Sequence, residues 1–143
     1  MVGMADRHWQ LTPRQSIELE CGRRGRQALV DGCCRLIDGD EFDAGLIVAL
    51  GGPHAQRLLE SGLPDDQRYW LRVWAARGLL WAWEDSALSA LLQAVRDEQW
   101  RVREHAAKIA ARHGVTAALP AIEALLDDEV PRVRAAARRA LQN

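Results

Sequence analysis

The phrase DEQWRVREHAAK, residues 97–108, recurs one short interval later as DEVPRVRAAARR, residues 128–139. Asp97/Asp128, Glu98/Glu129, Arg101/Arg132, Val102/Val133, Arg103/Arg134 and Ala106/Ala137 are identical. The same interval back lies DQRYWLRVWAAR, residues 66–77, where Asp66, Arg72, Ala75 and Ala76 align with Asp97, Arg103, Ala106 and Ala107. The period is about 31 residues, and Leu71 stands where Val102 and Val133 stand. A fixed period of this length constrains the fold more than any composition does. Each unit is too small to bury its own apolar face, so it must stack on the next.

The segments between the phrases repeat as well: Leu88, Leu91 and Val95 fall on Leu119, Ile122 and Leu126. Val102, Ala106, Ile109 and Ala110 follow the spacing of one helical face, as do Val133, Ala137, Ala140 and Leu141, and Leu71, Ala75, Gly78 and Leu79. The unit therefore reads as helix, acidic turn, helix. Punctuation sets the limits. Thr12-Pro13 has the chemistry of an N-cap followed by proline at the first helical position. Gly51-Gly52-Pro53 interrupts, Gly62-Leu-Pro64 and Gly114 terminate, and Pro131 opens the last helix. We expect helices near 13–21, 24–38, 42–51, 54–61, 67–83, 86–96, 99–113, 116–127 and 131–142. No stretch shows sustained strand alternation, so the class is all-α. The chain reads as one domain over 1–143, with 1–52 as degenerate, capping helices and 53–143 as the repeats.

The Asp-x5-Arg step with Val before the Arg, followed by Ala-rich helix and Gly, resembles the HEAT-like repeats first described in bilin lyases and found across bacterial proteins. The likeness covers residues 66–143 well and 42–65 loosely. It implies an α-α superhelix whose Val-Arg helices line the concave side. It also implies a structural ladder formed by the Asp and Arg of successive repeats: Asp66, Arg72, Asp97, Arg103, Asp128 and Arg134. These read most simply as acidic caps joined by charge-assisted hydrogen bonds. The fold says little about activity, since it carries scaffolds, lyase chaperones, nucleic-acid binders and a class of alkylpurine DNA glycosylases.

A second stripe runs opposite the apolar one. It reads Trp70, Trp74, Arg77 and Trp81 in one repeat, Arg101, His105, Lys108 and Arg112 in the next, then Arg132, Ala136, Arg139 and Asn143. Stacked, these rows would form a patch, aromatic at one edge and basic at the other, suited to an acidic peptide, a phosphate or single-stranded nucleic acid. Trp83 and Trp100 lie off the stripe and are expected between repeats; Trp9 is expected to pin the N-terminus.

Net charge is −1, so nothing global draws the chain to nucleic acid or membrane. Eighteen of the 19 basic residues are Arg, Lys108 being the exception, which with abundant Ala suggests a high-GC bacterial coding bias. Cys21, Cys33 and Cys34 form no disulfide framework or metal pair and read as small helix residues in a reducing cytosol. MVGMADRHWQ lacks the apolar core of a signal peptide, and the apolar run Leu46–Leu50 is far too short for a span. A cytoplasmic protein without membrane contact is expected.

Gly22-Arg-Arg-Gly-Arg26 lacks the features of a phosphate loop and reads as a solvated helix junction. Asp38-Gly-Asp-Glu-Phe-Asp43 lacks the closing Glu of a calcium loop and reads as an acidic helix start. His105 and His113 stand about 12 Å apart along a helix, too far to share a metal unaided. No catalytic, metal or cofactor constellation emerges. The expected function is a non-enzymatic protein-interaction or scaffold module. The alternative is a nucleic-acid binder related to the glycosylases, although this chain offers no matching catalytic Asp. A bilin-lyase role would need a tetrapyrrole pocket that the sequence does not indicate.

Overall fold

Eight α-helices and four short 3-10 turns account for nearly all the residues that the computed structural model describes, 11–39 and 43–142. The helices are α1 Pro13–Arg24, α2 Arg26–Asp38, α3 Ala44–Glu60, α4 Tyr69–Trp81, α5 Leu88–Val95, α6 Trp100–His113, α7 Leu119–Glu123 and α8 Pro131–Gln142. A 3-10 turn, Ala124–Asp127, prolongs α7. The place expected for Trp9 lies outside the described residues, as do Asn143 and part of the acidic stretch after Asp38.

Local chemistry sets these limits. Thr12 caps α1 in a reciprocal box: its hydroxyl accepts from the Gln15 amide, and the Gln15 side chain accepts from the Thr12 amide. Asp43 caps α3 through the Leu46 amide at 3.0 Å. Gly114, at φ 60°, ends α6 in the left-handed region that side chains resist. The helices expected at 42–51 and 54–61 are one run with a break inside it. Gly52 takes φ 67° and ψ −146°, which redirects the chain so that Pro53 can restart the helix. The helices expected at 86–96 and 116–127 are shorter than anticipated, because the first turn of each, and the last turn of the second, wind as 3-10.

The helices stack in two layers. α4, α6 and α8 lie side by side, and α5 and α7 pack behind α6 and α8. The place behind α4 is taken by α2, although α3 lies between them in the chain. α2 also meets α5, through Gln93 on the Ile37 carbonyl. α1 and α3 pack on each other and close the α4 end of the stack.

The core is continuous along this α-α solenoid. Val102, Ala106, Ile109, Val133, Ala137, Ala75 and Leu79 are all fully buried, which is the repeated apolar face. Small residues bring the helices close. A Cβ on Gly78 would sit 2.5 Å from the Cys33 sulfur, so α2 reaches α4 only because that position has no side chain. Cys33 is itself wholly buried, which pushes its thiol pKa up and leaves it a packing residue.

Candidate functional site

The arginines of the repeated R-V-R step separate by direction. Residues two apart on a helix point to different faces, and Arg101 and Arg103 do so. Arg103 reaches the following repeat, giving Nε and Nη2 to the Asp128 carboxylate at 2.7 and 3.1 Å. Its Nη1 donates to the carbonyls of Asp97 and Glu98 in its own repeat, at 2.8 and 3.1 Å. Arg72 holds Asp97 in the same bidentate way, at 2.7 and 3.2 Å. Arg134 repeats the backbone half of the motif on the Asp128 carbonyl.

The carboxylates are not N-caps in the strict sense. Asp97 accepts from the Gln99 amide and Asp128 from the Val130 amide, each two residues on, which makes Asx turns ahead of α6 and α8. Burial favours protonation of Asp128, but the hydrogen bonds from Arg103 and from the Val130 amide outweigh it and hold its pKa below the ordinary carboxylate value. Asp66 is exposed and has no arginine partner among the described residues, so it does not join this ladder there.

Arg101 turns the other way, onto aromatic rings. Its guanidinium lies 5.2 Å from the Trp70 ring centre and 4.5 Å from that of Trp100, and Arg132 lies 5.4 Å from Trp100. Arg132 also clamps Glu104 through Nε and Nη2 at 2.9 and 3.4 Å, and Lys108 approaches the same carboxylate at 3.5 Å. Farther along, Trp81 has Arg14 at 4.7 Å and Arg112 at 4.5 Å. A lattice of alternating rings and cations thus crosses α4, α6 and α8 on the face turned away from α2, α5 and α7.

Several stripe residues stand elsewhere than the sequence places them. Trp74 is 1 % exposed and belongs to the core, because the α3 break packs over it. His54 meets both Trp74 and Trp70 edge-on, at 5.2 and 4.9 Å. Arg77 is half-buried beneath the same break, with Nη1 on the Leu50 carbonyl at 3.4 Å. Trp70 and Trp81 remain partly open, and Arg112, Arg132 and Arg139 are exposed. Trp100 is half-buried against the core, as expected between repeats, and also meets the face through Arg101 and through Arg132 of the next repeat. Trp83 stacks on His113, with ring centres 5.7 Å apart.

The sequence reading missed Glu104, a carboxylate only 5 % exposed at the middle of the face. A signal was there: the positions in register with it are Val73 and Ala135, so an acid interrupts an apolar column. Arg14 and His54 were missed because they come from the irregular N-terminal helices. Their approach to the face depends on tertiary packing that no period reports.

The titratable groups of the face are already engaged. His105 holds the Arg101 carbonyl with Nδ1 at 2.8 Å, which requires a proton on Nδ1. Burial, together with the charges of Lys108 and Arg77, lowers its pKa below the ordinary histidine value. Burial and the charges of Arg57 and Arg77 lower that of His54. Among the described residues no group of His, Cys, Asp and Glu is arranged to hold a metal ion, and no helix is long and apolar enough to cross a membrane.

A family model described as HEAT repeats matches residues 50–142, well over half of the chain. No curated protein and no solved structure matches it.

Proposed function

We propose, from the premise that the chain belongs to the HEAT repeat family, that it is a non-enzymatic docking module whose α4/α6/α8 face holds an acidic segment of a protein partner. The observation that carries this reading is the chain of ring and cation contacts Trp70–Arg101–Trp100–Arg132 across α4, α6 and α8, with a second set, Arg14–Trp81–Arg112, farther along the face. Arginines aligned on tryptophans are partly desolvated and pre-organised, so a carboxylate arriving there meets cations whose ordering cost is already met. The carboxylate and imidazoles of the face support docking over chemistry. Glu104 is neutralised by Arg132 and Lys108, and His105 is tied to a backbone carbonyl. Family membership supports the general role, since HEAT repeats commonly mediate protein interaction or scaffolding.

The composition of the lattice also suits single-stranded nucleic acid. Trp81 and Trp100 each have two guanidinia against them, however, which leaves less bare ring for a base to stack on. The test is affinity capture from native lysate, with and without nuclease, with the wild-type chain beside Arg112→Glu/Arg139→Glu. Both residues are exposed and neither is in a carboxylate pair among the described residues, so the variant is expected to melt within about 2 °C of wild type, a shift equivalent to roughly 0.5 kcal/mol. A protein captured by the wild type and lost by the variant supports the reading. Equal capture by both chains refutes this face as the docking surface, and capture that vanishes with nuclease favours nucleic acid.

A further inference from the structure

Arg77 differs from every other half-buried arginine among the described residues. Arg24, Arg72 and Arg103 meet carboxylates, Arg101 meets rings, and Arg134 makes a short bond to a carbonyl. Among the described residues Arg77 has one long hydrogen bond, to the Leu50 carbonyl, and no acid or ring partner. A guanidinium carries five N–H donors, so most of its capacity is unused by the described residues. Burial lowers its pKa with no carboxylate to oppose the shift.

Arg77 lines a cavity of about 160 Å³. Among the described residues its wall includes Leu11, Pro13 at the start of α1, Gly52 and Pro53 where α3 restarts, Leu50 and Ser16, and no acidic residue. Two helix beginnings thus lie at the wall, beside the end of the first half of α3, whose Leu50 carbonyl accepts from Arg77. At ~30 Å³ per water the cavity has room for about five waters, enough for a carboxylate or phosphate group and too little for a nucleoside. The charge of Arg77 is also felt by His54 and His105.

We propose that this cavity is a socket for a small oxyanion group, carboxylate or phosphate, gripped by Arg77. The proposal deepens the docking reading and rests on it only for the source of the anion, since a free anion would fill the same socket.

The test is an NMR titration of the His54 and His105 ring signals in the full chain at constant ionic strength. Inorganic phosphate, acetate and a glutamate-rich peptide are used in separate arms. Binding is expected to shift both rings saturably and to move both pKa values upward, because an anion offsets the Arg77 charge that depresses them. The other charges around these rings, Arg57 at His54 and Lys108 and Glu104 at His105, stay in place throughout. Saturation by phosphate or acetate supports a socket for a free anion; saturation by the peptide alone supports one for a docked carboxylate. Arg77→Met is expected to abolish the shifts and, in anion-free buffer, to melt no lower than wild type.

Absence of a saturable shift with all three probes overturns the proposal, as does an undiminished shift in Arg77→Met. Should that variant not fold, the wild-type titration decides alone. Because the probes address the cavity directly, failure here leaves the lysate capture result standing, and the reverse also holds.

Discussion

At the scale of single residues, the face is tuned by charges that the fold has partly withdrawn from water. His54 and His105 show this most clearly. Both pKa values lie below the ordinary histidine value of ~6.5, chiefly through burial and then through neighbouring cations. The sign follows from linkage. Below ~6.5 the unfolded chain takes up these protons while the folded chain resists them, so protonation favours unfolding. The stability conferred by the neutral rings is therefore fully present above ~6.5 and is lost as pH falls toward the depressed folded values. Thermal melts between pH 7.5 and 5.5 should show a midpoint that falls on acidification, with a smaller fall in a His54→Gln/His105→Gln variant. A midpoint that is flat or rises over that range contradicts the assignment. Neither histidine could have been read this way from the sequence, where His105 is one member of a basic stripe and His54 only follows the Gly-Gly-Pro break.

At the scale of elements, the decisive device is the broken helix α3. Its Gly51 touches the buried Trp74: a Cβ there would lie 2.6 Å from the indole and 2.7 Å from the Ala55 methyl. Gly51→Ala should therefore force α3 off α4, with a cost of about 1–3 kcal/mol from overpacking, to be read by thermal or denaturant unfolding. An unchanged midpoint would show that the contact is loose. The sequence revealed the break itself, because Gly51-Gly52-Pro53 has no other reading. It did not reveal that the break would bury Trp74 and half-bury Arg77, since spacing along α4 specifies a stripe but not what lies over it. The ladder was legible through the resemblance that the recurring Asp-x5-Arg step carries, and Arg72–Asp97 and Arg103–Asp128 repeat one geometry. It stops short of Asp66, which is exposed and has no arginine partner among the described residues.

At the scale of the molecule, one phrase written twice serves two tasks. Stacking α4, α6 and α8 in register places one arginine of each R-V-R step in the ladder and the other on the open face, Arg132 ahead of Arg134 as Arg101 is ahead of Arg103. Periodicity made the two-layer architecture visible. It could not show that α2 supplies the helix behind α4, because that contact skips over α3 and leaves no mark at the repeat interval.

The most direct measurement of this division of labour compares Arg101→Ala with Arg103→Ala by reversible unfolding. The two changes remove the same side chain and charge from the same helix, two residues apart. Arg103→Ala strips four hydrogen bonds and leaves Asp128, whose side chain is 7 % exposed, without its charge partner. It should cost about 2–4 kcal/mol. Arg101→Ala removes two ring contacts near the surface and should cost less than ~1 kcal/mol. That ordering, with a clear gap, is the expected result. Equal losses, or a larger loss at Arg101, would contradict the separation of scaffold from site.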